Sequence, residues 1–320
     1  MPCPISKDVS LAADQLRKGR LVAFATETVY GLGANAFDTN AVARIFEVKR
    51  RPNFDPLIVH IADPNWLDRL VVEIPRDARK LIKHFWPGPL TLVLPKTKAV
   101  PDLVTSGLPT IAVRIPDHLQ ALQLLREADI PIAAPSANLF GRISPTCAQH
   151  VAEQLGERSD LILDGGPCRV GVESTVLEFA SSATTILRLG GVTVEQIESL
   201  IGSVFLAKTA GHPSAKGLSS PGMLSKHYAP RTPLKIESQF GLLPTGKRLG
   251  LLTLTPINYS EQFAVVEVLS ASGNLNEAAA NFFSALQRLD TRRLDLIIAI
   301  PFPNEGLGRT LNDRLQRAAD

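Results

Sequence analysis

Cysteine, net charge and long apolar segments are all scarce in this 320-residue chain. Its three cysteines, Cys3, Cys147 and Cys168, form no CxxC pair and leave one thiol unpaired in any disulfide scheme. We therefore expect a reducing, cytoplasmic environment. No apolar run approaches the roughly 18 to 20 residues that cross a membrane. Residues 1–10 also lack the basic and apolar regions of a secretion signal, so we expect neither a membrane protein nor a secreted one.

Composition and charge exclude further classes of protein. The net charge of +3 is too small to indicate nucleic-acid binding by itself. A chain that is 45% hydrophobic and 20% charged is neither disordered nor collagen-like. At roughly 150 residues per domain, the length predicts about two domains. The six histidines show neither HExxH nor Cys/His ligand spacing, so the sequence indicates no structural metal.

Two segments imitate nucleotide-binding motifs without their structural context. Residues 31–36 match the GxGxxA form of a dinucleotide fingerprint, but residues 26–30 separate them from the preceding predicted strand. The next predicted helix begins only at Asn40. Residues 241–247 resemble a phosphate loop, but Arg248 stands where a magnesium-binding hydroxyl is required. We interpret the second segment as a plain turn and neither segment as a nucleotide site.

Short apolar runs and amphipathic stretches alternate over the first two hundred residues. The apolar runs predict strands over Leu21–Ala25, Leu57–Ala62, Leu90–Leu94, Ile111–Ile115, Ile130–Ala134, Leu161–Leu163 and Thr175–Phe179. The amphipathic stretches predict helices over Val9–Lys18, Asn40–Arg50, Arg76–Phe85, His118–Glu127 and Thr146–Leu155. We expect Asn40 to be the N-cap of the second helix. Proline and glycine clusters interrupt the alternation, which favours a mixed, twisted α+β sheet over a regular doubly wound one.

A basic segment follows, and after it the alternation resumes. Ser199 to Ile236 contains no acidic residue but carries five lysines or arginines among Gly, Ser and Pro, which predicts a cationic linker. Beyond it we predict strands over Leu249–Leu254, Phe263–Leu269 and Leu294–Ile300 and helices over Leu275–Leu289 and Leu307–Ala318. These elements indicate a smaller α/β, Rossmann-like domain. The predicted organisation is a first domain over 1–205, a linker over 206–232 and a second domain over 233–320.

Polar clusters lie at the ends of several predicted strands, where the sites of α/β proteins usually collect. Arg114 is the most informative member, because it ends an apolar strand, where a guanidinium costs desolvation unless an anion pairs with it. For other members of these clusters, a structural role is the alternative to a functional one. Thr28 can cap a turn, His60 can be a core histidine, and residues 49–51 can form a solvated helix end. Together these cations and hydroxyls, with no evident nucleophile, predict an enzyme that binds anions and stabilises charge, as adenylyl transfer requires.

Six short motifs occur in chain order. They are Thr26–Gly33 (TETVYGLG), Lys49-x-Arg51-Pro52, Pro56–His60 (PLIVH), Trp86–Thr91 (WPGPLT), Pro135–Asn138 (PSAN) and Gly171–Thr175 (GVEST). Together they resemble the threonylcarbamoyl-AMP synthase family, whose catalytic domain has the YrdC-like fold. Pro221–Met223 and Lys226–Pro230 resemble the longer members of that family, which carry a Sua-type C-terminal domain.

The resemblance implies a nucleotidyltransferase that condenses L-threonine, bicarbonate and ATP into threonylcarbamoyl-AMP and pyrophosphate, with Mg²⁺ accompanying ATP. The product supplies the threonylcarbamoyl group for the adenosine next to the anticodon of certain tRNAs. Downstream tRNA threonylcarbamoyl transferase proteins are therefore implied partners, and tRNA itself is a further candidate for contact. No membrane partner is implied.

The resemblance also implies roles for particular residues, matched motif by motif. L-threonine binding is implied for Thr28, His60, Arg114, Ala134 and Ser174. ATP binding is implied for Arg51, Asp55, Thr110, Ser136, Asn138, Ser144, Arg188 and Tyr228, with Lys49 close by. Lys49 and Arg51 are the expected catalytic residues, since they can neutralise phosphate oxygens, and Arg114 can grip a carboxylate in bidentate fashion. We expect the linker to fold over this site and to place Tyr228 against the nucleotide.

Two other functions compete with this one. Carbamoyl-transfer proteins of hydrogenase maturation contain a related domain, but they also carry paired, zinc-finger-like cysteines that three scattered cysteines cannot supply. The second alternative is a non-enzymatic RNA-binding module that uses a concave cationic face. An ATP-dependent assay that requires both threonine and bicarbonate distinguishes the synthase from the binding module.

Overall fold

The larger of two sheets occupies the first two hundred residues of the chain. The computed structural model describes residues 3–52, 55–180, 183–207, 227–238, 243–258 and 260–319. Its first sheet has eleven strands, in the order β1-β8-β2-β3-β7-β4-β6-β5-β9-β10-β11. They are β1 (Ile5–Ser6), β2 (Val22–Phe24), β3 (Gly31–Asn35), β4 (Ile58–His60), β5 (Leu90–Pro95), β6 (Thr110–Arg114), β7 (Ile132–Ala133), β8 (Leu161–Leu163), β9 (Thr175–Ala180), β10 (Ala183–Arg188) and β11 (Phe205–Leu206). Parallel and antiparallel pairs both occur, so the predicted mixed sheet is confirmed.

Helices pack around this sheet, with their apolar faces turned inward. They are α1 (Val9–Arg17), α2 (Thr39–Lys49), α3 (Arg76–Phe85), α4 (Asp102–Thr105), α5 (Leu119–Ala128), α6 (Ala148–Leu155) and α7 (Val194–Ile201). Short 3₁₀ turns lie at Pro64–Arg69 and Gly156–Arg158. The predicted helices are therefore confirmed, with ends displaced by at most two residues, whereas α4 and α7 were not predicted.

The expected N-cap of α2 was wrong by two residues. The helix begins at Thr39, and the Asp38 side chain accepts hydrogen bonds from the backbone N–H groups of Asn40 and Ala41. A carboxylate caps a helix N-terminus at least as well as an amide, and it also meets the positive end of the helix dipole. The predicted apolar face of the helix is confirmed, since Val42, Ile45 and Phe46 are buried.

Strand β3 was not predicted, because its sequence, GLGAN, has none of the β-branched residues that mark strands. Both glycines of this segment lie in the sheet. A Cβ atom on Gly33 would lie 2.8 Å from Ile132 Cγ2 and 2.9 Å from Phe24 Cε1, so the neighbouring side chains occupy the space that a larger residue needs. The segment forms a strand and not a dinucleotide-binding turn, as its spacing from the preceding strand indicated.

The second sheet is smaller and entirely parallel. Its strands, in the order β12-β15-β13-β14, are β12 (Leu234–Ile236), β13 (Leu249–Thr253), β14 (Val265–Val268) and β15 (Leu296–Ala299). Two helices pack against it, α8 (Leu275–Asp290) and α9 (Gly306–Ala319), and a 3₁₀ turn lies at Ser260–Gln262. The predicted α/β domain is confirmed, with β12 as an additional strand. Thr245 and Gly246 form the expected turn, while residues 241–242 of the phosphate-loop imitation lie outside the described residues.

Most of the predicted linker lies outside the described residues, since these exclude 208–226, including Lys208, Lys216 and Lys226. The predicted domain boundaries at 205 and 232 stay predictions. The two sheets nevertheless share a core. Val29 and Val172 of the first domain and Tyr228 pack with Phe282 and Phe283 of α8.

The two domains approach each other closely at Gly171. A Cβ atom at this position would lie 2.4 Å from the backbone oxygen of Ala279 in α8, so only glycine fits there. Gly171 also has a φ of 74°, which residues with a side chain rarely adopt. Within the described ranges, no helix is both long and apolar enough to cross a membrane.

Candidate active site

One polar pocket lies on the face of the first sheet that is turned away from its main core. Along β4, side chains alternate, so Val59 is in the main core while Ile58 and His60 face the pocket. The neighbouring strand β6 runs parallel to β4, and its last residue, Arg114, is in register with His60. The carboxyl ends of two parallel strands therefore bring a histidine and an arginine side by side.

Arg114 is held at the pocket wall by residues of the loop between β2 and β3. It is 2% exposed, its Nη2 is ion-paired with Glu27, and its Nη1 donates to Thr28 Oγ1 at 3.1 Å. Burial lowers the pKa of Arg114, and the charge of Glu27 opposes this shift. Thr26 Oγ1 fixes the loop, because it donates to the Val29 carbonyl at 2.7 Å and lies 2.8 Å from Thr28 Oγ1. The guanidinium is therefore preorganised to meet an anion.

His60 is a buried neutral imidazole. Burial and the positive charge of Arg114 lower the pKa of His60 to about 3. Its Nδ1 atom has no hydrogen-bond partner among the described residues. The ring contacts Phe24 edge-on, with 5.8 Å between ring centroids. At neutral pH His60 can thus accept or donate one hydrogen bond to a ligand, but it adds no charge to the pocket.

A second guanidinium reaches the pocket from β10. Arg188 Nη2 donates to the Ser174 carbonyl at 2.9 Å and to Ser174 Oγ at 3.1 Å. Ser174 Oγ also lies 2.7 Å from Thr91 Oγ1. Arg188 is 6% exposed, and burial lowers its pKa. Since β9 begins at Thr175 and β10 runs antiparallel to it, the start of one strand and the end of the other place these two residues together.

The end of α2 supplies the third guanidinium. The chain turns at Arg50, whose φ is 54°, and Arg51 then folds back toward the sheet. Arg51 Nη2 lies 2.8 Å from Asp55 Oδ2, and Nε donates to the Asp55 carbonyl at 3.0 Å. Burial raises the pKa of Asp55, while the charges of Arg51 and Lys49 oppose that shift. Asp55 is fully buried, so it acts on the pocket through Arg51.

Lys49 points elsewhere. Its Nζ donates to the carbonyls of Ser136 and Asn138, both at 2.5 Å, and Asn138 Nδ2 in turn donates to two carbonyls of its own turn, those of Leu139 and Arg142. Burial lowers the pKa of Lys49, and the charge of Arg51 acts in the same direction. In this structure Lys49 holds the 136–138 turn in place and does not line the pocket.

Residues His227 and Tyr228 cover the pocket. The backbone N–H of His227 donates to the Arg317 carbonyl of α9 at 3.0 Å, and that of Ala229 donates to the Gly141 carbonyl at 2.9 Å. This segment is therefore bonded to both domains. Tyr228 is 1% exposed, burial raises its pKa, and its hydroxyl finds no partner within the described part of the chain.

The covered pocket has little free space. Its volume is about 50 Å³, which is room for a few water molecules. A ligand the size of a nucleotide therefore enters only when side chains or the covering segment move.

Nine of the predicted site residues line this one pocket. They are Thr28, Arg51, His60, Arg114, Ala134, Ser136, Ser174, Arg188 and Tyr228. Five others are not among its lining residues, namely Lys49, Asp55, Thr110, Asn138 and Ser144. Lys49, Asp55, Asn138 and Ser144 contact residues at or next to the lining, whereas Thr110 is at the start of β6, four residues before Arg114.

Sequence analysis did not single out Glu173 or His227 as site residues. Both line the pocket, and Glu173 Oε1 accepts a hydrogen bond from Ser144 Oγ at 2.6 Å. Glu173 directly precedes the predicted residue Ser174, and His227 directly precedes Tyr228. Each pair lies within one motif, so the position in the motif is the sequence signal that could have identified them. Among the cysteines, Cys3 and Cys168 are buried and Cys147 is half-buried. Burial raises the pKa of Cys168, which keeps that thiol protonated.

The described residues form no group of three or more His, Cys, Asp or Glu side chains that could hold a metal ion. Two carboxylates at or next to the pocket, those of Asp55 and Glu173, are both ion-paired with arginines. This donor set does not fit a resident magnesium ion.

Comparisons with known proteins agree with this geometry. A family model described as "Telomere recombination" matches residues 14–190, and one described as "Threonylcarbamoyl-AMP synthase, C-terminal domain" matches residues 192–320. The chain is 46% identical over 325 residues to the threonylcarbamoyl-AMP synthase of Bacillus subtilis, covering 97% of this chain and 92% of that protein. It is 43% identical over 324 residues to that of Pyrococcus abyssi, covering 97% and 94%.

A solved structure extends the comparison to three dimensions. The crystal structure of P. abyssi Sua5 complexed with L-threonine superposes with a TM-score of 0.89 at 41% identity, covering 99% of this chain and 96% of that one. Both domains are therefore shared in sequence and in fold, and this chain belongs to the threonylcarbamoyl-AMP synthase family.

Proposed function

We propose that the chain condenses L-threonine, bicarbonate and ATP into threonylcarbamoyl-AMP and pyrophosphate in the pocket of the first domain. The observation that carries this proposal is the convergence of three buried guanidiniums, those of Arg51, Arg114 and Arg188, on one pocket. Three positive charges around one pocket attract anions, and the substrates supply a carboxylate and a triphosphate. The relatives described above carry the same activity in their names.

Threonine binds at the Arg114 end in this proposal. The Nε atom of Arg114 has no hydrogen-bond partner among the described residues, so its guanidinium retains donor capacity for the substrate carboxylate. Neutral His60 and the hydroxyls of Thr28 and Ser174 are the groups available to the amino and hydroxyl ends of threonine. Ala134 limits the space beside the threonine methyl group.

ATP binds at the other end, next to Arg51, Ser136, Arg188 and Tyr228. Ser144, Asn138 and Asp55 lie behind the lining in the structure, so their proposed contribution to ATP binding is to support residues that touch it. Thr110 begins β6 at the opposite end from Arg114, and its ATP contact stays a prediction. Lys49 supports the 136–138 turn in the same way, and Arg51 is the catalytic residue that acts directly on phosphate oxygens. This assignment modifies the expectation that Lys49 itself neutralises phosphate.

The reaction then needs no protein nucleophile. The threonine amine forms a C–N bond to the carbon of bicarbonate, with loss of water, and gives a carbamate. A carbamate oxygen attacks the α-phosphorus of ATP, and the bond between the α-phosphorus and the bridging oxygen breaks as pyrophosphate leaves. Arg51 and Arg188 stabilise the charge that builds on the phosphate oxygens. The cover formed by His227 and Tyr228 keeps water from the carbamate and from the mixed anhydride.

The wider context of the reaction is part of the proposal. Magnesium enters with ATP and offsets phosphate charge there. The product is unstable in water, so a tRNA threonylcarbamoyl transferase system must receive it promptly. We propose that the reaction is cytoplasmic. Contact between this chain and tRNA is a separate proposal with its own binding test. The RNA-binding alternative is not favoured, because the chain matches its synthase relatives over nearly their full lengths.

Pyrophosphate release tests the proposal directly. Purified protein with ATP and Mg²⁺ should release pyrophosphate only when both threonine and bicarbonate are present. Omission of either substrate should return the rate to background, and serine or valine should support less release than threonine. Release of pyrophosphate without bicarbonate would show a different adenylyl transfer, and binding of RNA without any release would favour the binding module.

A further inference from the structure

Arg314 of the second domain reaches the pocket of the first, and none of the predicted roles includes it. It lies in α9 and is fully buried. Its Nε lies 2.9 Å from Glu173 Oε2, and its Nη2 donates to the Leu189 carbonyl at 2.7 Å. Its guanidinium carbon lies 4.9 Å from the centroid of the Tyr228 ring. One side chain thus contacts the pocket wall, the segment after Arg188 and the cover.

Glu173 is the reason that a cation is needed there. It lines the pocket and is 5% exposed, and its Oε1 accepts the hydrogen bond from Ser144. An unpaired carboxylate in that wall would repel the phosphates of ATP across a poorly screened distance. It would also compete with those phosphates for the guanidinium of Arg188. The negative charge of Glu173 raises the pKa of Arg188, and the positive charge of Arg314 lowers it.

Helix α9 is anchored to the same part of the first domain by a second contact. Thr310 Oγ1, one turn before Arg314, donates to the Gly190 carbonyl at 3.1 Å. Asp313 is ion-paired with both Arg314 and Arg317, so a carboxylate on α9 orients the arginine that enters the interface. The position of the Arg314 guanidinium is therefore fixed from its own helix as well as from the pocket.

We propose that Arg314 is a positioning residue for ATP: by neutralising Glu173 from behind the pocket wall, it leaves Arg51 and Arg188 available to the phosphates. This inference rests on the proposed function. It assigns to the second domain a specific electrostatic task at the active site of the first.

Substitution of Arg314 separates this role from a merely structural one. In Arg314→Met, the charge of Glu173 is unpaired, and the KM for ATP should rise by roughly 10- to 100-fold. The KM for threonine should stay within about threefold, because the charge of Glu173 acts on the phosphates. Arg309→Met is the matched control: Arg309 lies on the same helix, and its bridge to Glu195 is partly exposed. Its KM values should equal those of the wild type.

A double variant tests the electrostatic cause. Arg314→Met with Glu173→Gln removes both charges, keeps the partner of Ser144 and restores the net charge of the pocket. Its KM for ATP should return to within about threefold of the wild type. This comparison decides the matter even if Arg314→Met alone fails to fold, since the double variant contains no buried unpaired charge.

The outcomes are distinguishable. The proposal is supported by a selective rise in the KM for ATP in Arg314→Met that Glu173→Gln reverses. If Arg314→Met does not fold, a wild-type KM for ATP in the double variant supports it. An unchanged KM for ATP in folded Arg314→Met overturns it, as does a KM that stays more than tenfold above wild type in the double variant. Equal losses for ATP and threonine also overturn it. Failure of the proposed function itself would appear separately, as absence of pyrophosphate release from the wild-type protein.

Discussion

Among single residues, the proposed threonine site depends most on Arg114. Its guanidinium is buried against Glu27 and Thr28, and this geometry fits a substrate carboxylate. Arg114→Ala should weaken threonine binding by about 2 to 5 kcal/mol, since truncation leaves two buried carboxylates without their partner. Arg114→Lys should restore only part of the loss, because an ammonium lacks the forked donor geometry.

Calorimetric titration with threonine measures this effect. Arg126→Ala, at an exposed position of α5, is the control and should bind threonine as the wild type does. Unchanged affinity in Arg114→Ala would show that the carboxylate binds elsewhere in the pocket.

His60 makes a second residue-scale prediction, which concerns pH. Its pKa of about 3 in the folded chain lies below the value of about 6.5 expected after unfolding. Between these values the unfolded chain binds more protons, so the free energy of unfolding falls as the pH falls below 6.5. From pH 7 to pH 5, His60 should account for a loss of about 2 kcal/mol.

The measurement is urea denaturation at pH 7 and pH 5. His60→Gln should lose about 2 kcal/mol less than the wild type over this interval, whereas the exposed His84→Gln should match the wild type. Equal pH dependence in His60→Gln and the wild type would mean that this imidazole is not held neutral by the fold.

Most residues of the pocket could be predicted from sequence, because they belong to contiguous motifs, and Arg114 could be predicted because it ends an apolar strand. What sequence could not provide is the direction in which each side chain points. Lys49 and Arg51 are two residues apart, but the left-handed conformation of Arg50 sends one to a backbone turn and the other to the pocket. Arg314 could not be predicted, since its partner Glu173 is 141 positions away.

At the scale of elements, the cap of α2 provides a simple test. Asp38→Ala should lower the free energy of unfolding by about 1 kcal/mol, because two N–H groups of the first turn lose their acceptor. Asn40→Ala should change it by no more than a few tenths of a kcal/mol, since alanine is a good helix former. Chemical denaturation compares the two, and a larger loss in Asn40→Ala would return the cap to the position expected from sequence.

The end of α2 makes a prediction about turnover. Arg51→Ala should lower turnover by about 100-fold or more, the scale of losing one transition-state donor. Lys49→Met should lower it comparably, through displacement of the 136–138 turn, and should also lower the melting temperature. Cys147→Ala and Cys168→Ala should leave turnover within a few-fold, because no covalent intermediate forms. A covalent adenylyl-enzyme detected by mass spectrometry would contradict this mechanism.

Hydrophobic periodicity predicted most elements of the fold, and two of the missed strands, β3 and β11, have a common physical origin. Strand β3 is specified by close packing of Phe24 and Ile132 over Gly33, and that tertiary constraint leaves no apolar alternation to detect. The edge strand β11 is only two residues long and exposes Phe205 and Leu206. The sequences of β3 and β11 cannot be distinguished from those of loops unless the strands beside them are known.

At the scale of the whole molecule, the second domain and the end of the linker complete the site. Tyr228 packs on Phe283 of α8 at 5.5 Å between ring centroids and covers a pocket too small for its substrates. Tyr228→Ala should therefore admit water and lower the yield of product per pyrophosphate released by several-fold, because the carbamate and the anhydride decompose. Tyr228→Phe keeps the packing and should stay near the wild-type yield. An unchanged yield in Tyr228→Ala would mean that the cover does not exclude water.

In the proposed function, one pocket joins all three substrates in one product. Incubation of the protein with ATP, Mg²⁺, threonine and ¹³C-bicarbonate, followed at once by mass spectrometry, measures this directly. We expect threonylcarbamoyl-AMP carrying one ¹³C atom, in amounts that match the pyrophosphate released and that fall to background in Arg51→Ala. Formation of threonyl-AMP without the label, or of no adenylate at all, would contradict it.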